Sequence, residues 1–169
     1  MNLRLSGAVL LLVGATLSVP LFASASTITS AAVVALTNAD RSANGSDAVA
    51  EDTRLDTIAQ KKAADMLARG YFSHDTPDGK NPWSWLISEN YYYYFAGENL
   101  AMGFASAQSL EQAWMHSPTH RSNIVNPIYT RVGIGTASGA YLGKQTTVVV
   151  EFFATPPSAT ALAGTKKSS

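Results

Sequence analysis

Apolar residues recur along this chain at two different spacings, and the change from one to the other divides it. Leu55, Ile58, Ala59, Ala63, Met66 and Leu67 fall three and four apart, the period that lines one face of a helix with core side chains. That helix is predicted to stop at Gly70. An earlier helix is predicted over 29–44, with Thr29 or Ser30 as N-cap, Val33 and Leu36 on one face, and Asn44-Gly45 as the stop. Pro82 opens a short helix over 81–87. Leu110, Ala113 and Trp114 follow a capping Ser106 and give another, ending near Ser117-Pro118. The last third reads differently. Val132-Gly133-Ile134-Gly135 and residues 146–153 are rich in β-branched and aromatic side chains, and predict two antiparallel strands around a turn at Ser138-Gly139. Val148-Val149-Val150 is a continuous apolar run, as a strand covered on both faces requires. Helices first and strands last make the chain α+β.

The two ends read as something other than fold. Arg4 precedes an apolar run over 5–22, broken by Pro20 and followed by Ala23-Ser24-Ala25, the three-part layout of a secretory signal peptide over 1–25. Its length approaches the roughly 20 residues that cross a bilayer, so a retained membrane anchor is the alternative, and the one route by which a membrane would be a partner. Either one makes the domain over 26–155 secreted or extracytoplasmic. Residues 156–169, with Pro, Ala, Thr, Ser and Lys, are expected to form a flexible tail.

Composition narrows the function. Of 169 residues, 12 are basic and 12 acidic, so no basic excess exists to displace counterions from nucleic acid. There is no cysteine, which removes disulfides, thiolate catalysis and iron–sulfur clusters together. Any metal must be held by His, Asp or Glu.

The chain has three histidines. His74 lies in a segment whose turn is set by Pro77 and Gly79. His116 and His120 have the i, i+4 spacing of a helical metal pair, but Pro118 breaks it. Ser117 and Pro118 instead start a new helix, placing His120 in its first turn, where the helix dipole favours neutral imidazole. His116 is expected to face solvent. Glu98, between Gly97 and Asn99, reads as a turn carboxylate or a helix-capping acid. Glu151 interrupts an apolar strand, where an unpaired buried charge would be costly. It must reach water, pair with a cation such as Arg121 or Arg131, or join a polar cleft. Ser73-His74-Asp75 is no triad, because adjacent residues cannot form the relay. No G-x-S-x-G, H-E-x-x-H or phosphate loop occurs. Of the five successive aromatics at 91–95, some must line a surface or cleft.

Four ordered segments carry a resemblance. Tyr71-Phe72-Ser73-His74, Gly97-Glu98-Asn99-Leu100, Trp114-Met115-His116-Ser117-Pro118-Thr119-His120-Arg121-Ser122-Asn123-Ile124 and Val132-Gly133-Ile134-Gly135 together resemble the bacterial branch of the CAP superfamily (cysteine-rich secretory, antigen 5 and pathogenesis-related 1 proteins), also called the SCP domain. Asn38 and Arg41 fit it too. The resemblance implies an α-β-α sandwich, with a small antiparallel sheet between helical layers, and a cleft of histidines and glutamates. It places His74, Glu98 and His120 there, with Asn99, Ser117 and Glu151 beside them. Ser117 stands where eukaryotic relatives carry a second glutamate, so the metal-holding tetrad is incomplete. Glu151 stands where bacterial relatives often carry Gln. The implied activity is binding of an extracellular lipid, sterol, glycan or peptide, with a divalent metal such as Zn2+ held by His74 and His120. The alternatives are a metal-assisted hydrolase of peptidase or esterase type using Glu98 or Glu151 as base, and an inert interaction domain. The aromatics at 91–95 would form an apolar lip to the cleft or simply pack on the helices.

Overall fold

The computed structural model describes residues 28–158. The expected signal segment and all but the first residues of the expected tail lie outside that range. Five helices surround a four-stranded sheet: α1 (Ser30–Ala43), β1 (Ala50–Glu51), α2 (Thr53–Arg69), α3 (Trp83–Ser88), β2 (Phe95–Met102), α4 (Ala107–His116), α5 (Pro118–Ile124), β3 (Arg131–Tyr141) and β4 (Lys144–Thr155). The helix limits follow local chemistry. The Thr29 and Ser106 hydroxyls accept from Ala32 N and Ser109 N, satisfying amide donors that have no partner inside the helix. Gly70 closes α2 in the left-handed conformation at φ 67°, which costs glycine little. Pro82 caps α3 from just outside it.

The sheet runs β1-β3-β4-β2, with β1 parallel to β3 and the other pairs antiparallel. β4 alternates between two cores. Val148, Val150, Phe152 and Ala154 pack with Leu55, Ile58, Ala59 and Met66 of α2 and Leu86 of α3. Val149 and Phe153 pack with Val33 of α1, Leu110 and Trp114 of α4 and Ile124 of α5. The expected sandwich is thus the observed one, and both faces of the valine run are buried because each supports a helical layer.

Two sequence expectations change, and one strand went unpredicted. The hairpin turn lies at Leu142-Gly143 rather than Ser138-Gly139, which falls inside β3. Leu142 and Gly143 both have positive φ, 48° and 80°, as a two-residue primed turn demands, and a leucine there hides the signal. β1 is too short to show a period. β2 reads as a turn in the sequence because it carries Gly97, Glu98 and Asn99, yet it pairs with β4 along its whole length.

Glycine sets how closely the layers approach. A Cβ on Gly135 would lie 2.0 Å from Gln60 N, and one on Gly133 would lie 2.2 Å from Leu55 Cβ. α2 therefore rests directly on the β3 backbone, while Val132 and Ile134 point into the opposite core. Where β1 ends, α2 supplies the missing acceptors, with Ile134 N donating to Asp56 Oδ1 at 2.7 Å and Thr136 N to Gln60 Oε1 at 3.1 Å.

Candidate functional site

β2 is an edge strand, and the residues singled out by the sequence collect along it from both faces. Successive side chains of a strand alternate, so Glu98 turns toward α2 and Asn99 toward α1 and α5. Gly97 makes room for Tyr129, whose hydroxyl would lie 2.5 Å from an added Cβ and donates to Ala96 O at 3.2 Å.

Glu98 is a buried strand carboxylate rather than the expected turn or capping acid. Its side chain is 2% exposed. Oε1 takes the His74 Nδ1 bond at 2.6 Å, and Oε2 is ion-paired with Lys62. The Lys62 Nζ, fully buried, also donates to the His74 carbonyl at 2.7 Å. Burial pulls the Lys62 ammonium below the ordinary lysine range, and the Glu98 carboxylate pushes back against that shift. One lysine therefore holds both the carboxylate and the backbone of the histidine that the carboxylate orients. With Nδ1 turned to Glu98, the His74 Nε2 edge of the ring faces away from that carboxylate, on a side chain that is 56% exposed.

On the other face, Asn99 is fully buried and ties three elements together. Its Nδ2 donates to Glu151 Oε2 at 2.9 Å and to the His120 carbonyl at 3.3 Å. Its Oδ1 accepts from Asn123 Nδ2 at 2.9 Å, which also donates to Glu98 O at 3.0 Å. One backbone carbonyl of the outer edge strand β2, that of Glu98, is thereby met by an α5 side chain. This sets His120 at the first turn of α5, half-buried, with its ring 6.4 Å from that of Trp114. The His120 imidazole is pushed below its ordinary value, first by burial and then by the nearby His74. The direction agrees with the sequence reading, but burial rather than the helix terminus is the main cause. Ser117 starts α5, its hydroxyl 3.2 Å from that of Thr119. His116 is exposed, as expected, with Nδ1 2.6 Å from Gln112 O.

Glu151 is held in its apolar strand by neutral hydrogen-bond partners, with Arg41 as the cation whose charge acts on it. It reaches neither water nor Arg121, which donates to Asn44 Oδ1, nor Arg131, which is exposed. It is fully buried between α1 and α4, accepting from Thr37 Oγ1 at 3.1 Å. The same hydroxyl lies 3.3 Å from Glu111 Oε1. Burial and mutual repulsion raise Glu111 to about 9, and burial raises Glu151 to about 7. Glu151 is thus a buried support, joined to His120 through Asn99.

Four residues of this arrangement escaped sequence reasoning: Lys62, Thr37, Glu111 and Asn123. Lys62 did leave a signal, since it lies among Ile58, Ala59, Ala63 and Met66 on the stripe that faces the core. Glu111 left a similar one between Leu110 and Trp114.

Depressions of about 460 Å³ between α2 and α3 and about 620 Å³ beside α4 and α5 are lined by other residues. The donor set for a metal is also incomplete. Among the described residues, no three His, Asp or Glu side chains are grouped to hold an ion. Both Glu98 oxygens are engaged, and two imidazoles alone fall short of the roughly four ligands that zinc takes.

The same architecture occurs in known proteins. The model of the cysteine-rich secretory protein family (CAP) matches residues 34–152. The uncharacterized protein YkwD of Bacillus subtilis is 38% identical over 113 residues, which are 67% of this chain and 44% of that protein. An extracellular protein containing an SCP domain from Bacillus anthracis superposes with a TM-score of 0.66 at 27% identity, over 75% of this chain and 40% of that one. An outer surface protein of Borrelia burgdorferi gives 0.64 at 18% identity, over 74% of this chain and 90% of that one. The chain thus spans less than half the length of the two Bacillus proteins.

Proposed function

Because the chain belongs to the cysteine-rich secretory protein family, we propose that it is an extracytoplasmic binding module whose ligand is taken at the surface between His74 and His120. The observation that carries this reading is the Lys62–Glu98–His74 chain, in which two buried charges aim one exposed imidazole. A protein that needs only a stable core has little use for a buried ion pair, which apolar residues of similar volume often replace without loss. An outward imidazole held from behind through Nδ1 offers its Nε2 for hydrogen bonding, as an acceptor in its neutral form. A neutral His120 beside it adds a second, so the fitting ligand presents hydroxyl or amide donors, as a glycan, a sterol or a peptide does. The exposed aromatics Tyr92, Tyr94 and Phe95 offer apolar surface at the start of the same strand. The leading segment and the extracellular relative from B. anthracis support an extracytoplasmic place.

The experiment is capture from arrays of glycans, sterols and unstructured peptides by the wild type, His74→Gln and His120→Gln. One ligand held by the wild type and lost by both variants, with unchanged thermal unfolding, is the expected result. Equal capture by all three proteins refutes the site.

A second reading, hydrolysis of the bound ligand, draws on the same dyad. Its base would be His74 Nε2, since Glu98 has both oxygens engaged and Glu151 is sealed. Turnover abolished by His74→Gln supports it, and binding without turnover rejects it.

A further inference from the structure

The depression of about 460 Å³ between α2 and α3 lies outside the arrangement around Glu98, and its wall is of a different kind. Trp85 and Ile87 of α3 give it an apolar side, and Ile87 is 52% exposed. Asp65 and Arg69 of α2, with Lys80 from the turn before α3, give it a charged rim. Bonds within the chain hold that rim in place. Arg69 donates to Asp78 Oδ1 at 2.9 Å and to Asp65 Oδ2 at 3.4 Å, and Tyr71 donates to the same Asp65 oxygen at 2.7 Å. Lys80 Nζ lies 3.3 Å from Asp78 Oδ2. Two acids and two bases cancel, so the rim offers ordered donors and acceptors without net charge. Both bonds to Asp65 fall on Oδ2, which leaves Oδ1 to accept another. Trp85 lines the depression, yet its Nε1 is buried and meets no acceptor among the described residues, a state that folded proteins rarely keep.

We propose that this depression is a binding subsite for a neutral pyranose sugar, separate from the surface between His74 and His120 and standing whether or not that reading holds. Its volume falls within the range of small-molecule sites. A pyranose has the two sides that the wall requires. Its carbon-bound hydrogens form an apolar face that rests on the indole and on Ile87, and its hydroxyls each donate and accept. Neighbouring hydroxyls of one ring can meet Asp65 Oδ1 and the Arg69 guanidinium together, and hydrogen bonds to ionised groups are the stronger kind. A turn of the indole toward the sugar brings Nε1 to a ring or hydroxyl oxygen and satisfies it. A wholly apolar ligand fits less well, because it would cover Asp65 and leave Oδ1 without a partner.

The test is titration of the full chain with neutral oligosaccharides built on glucose, galactose, mannose and N-acetylglucosamine, read by calorimetry and by tryptophan fluorescence. At least one of them should bind the wild type and shift its fluorescence. Trp85→Phe, which keeps an aromatic wall, should silence the shift. Asp65→Asn and Ile87→Asn should each weaken binding about tenfold or more, the weight of one hydrogen bond to a charged group or of a buried aliphatic contact. Ile87 is exposed, so its replacement spares the core, and thermal unfolding verifies that each variant is folded. A panel that produces neither heat nor a fluorescence shift overturns the proposal. So does a saccharide bound equally well by the wild type, Asp65→Asn and Ile87→Asn, because it would then sit elsewhere on the protein.

Discussion

Replacing Glu111 by Gln should change the pH dependence of stability more than stability itself. In the folded protein the buried Glu111 and Glu151 share one hydroxyl, Thr37 Oγ1, and Glu111 is raised to about 9 from an ordinary 4.5. A carboxyl with a raised folded value keeps its proton while the unfolded chain releases one. Its contribution is fully present below pH about 4.5 and is lost as pH climbs toward the folded value. Each such group costs about 1.4 kcal/mol of stability per pH unit over that window. From pH 4.5 to 7 the loss assigned to Glu111 amounts to about 3 kcal/mol. Glu111→Gln keeps the volume and removes the titration. Urea unfolding of wild type and variant at intervals from pH 4.5 to 7.5 measures both slopes, and the variant's should be shallower by about 1.4 kcal/mol per pH unit. Curves that run parallel, at whatever separation, would refute a neutral buried carboxyl at this position.

Three further predictions concern the frame. Arg41 is fully buried and donates to four backbone carbonyls, those of Asp47, Ile124, Asn126 and Tyr129, so Arg41→Ala should cost about 3 kcal/mol or more in chemical denaturation. A loss under about 1 kcal/mol, the weight of roughly one ordinary hydrogen bond, would show the clamp to be idle. Gly135→Ala sets a methyl against the α2 backbone and should lose upwards of about 3 kcal/mol or fail to fold, since rigid backbone cannot yield as a side chain does. Unchanged thermal unfolding would disprove that contact. Leu142→Asn should stabilise the hairpin by about 0.5–1 kcal/mol, because Asn tolerates the positive φ that Leu holds there. A lower unfolding temperature would contradict the turn geometry.

The motif residues are legible because their neighbourhoods are short-range. The F-S-H, G-E-N and S-P-x-H-R segments sit where caps, turns and strand edges place them, and His74 and Glu98 do meet. Glu98 itself reads as a turn residue, since glycine and asparagine within a strand mimic loop chemistry. The Glu151 side chain is the reverse case. Its strand is evident, but its partner Thr37 is 114 residues away and Glu111 lies on a different helix, and no local pattern announces such a meeting.

From the order of residues alone come the helical stripe of α2, its glycine stop, the switch to β-branched strands, and the doubly covered valine run, because each depends on side chains a few positions apart. Tertiary structure alone decides that β2 is an edge met by Asn123, that β3 glycines admit α2, and that a lysine on a core stripe meets Glu98. These outcomes turn on which distant surfaces come into contact, and the cost of a buried charge or an added methyl is defined only once the neighbour that meets it is in place.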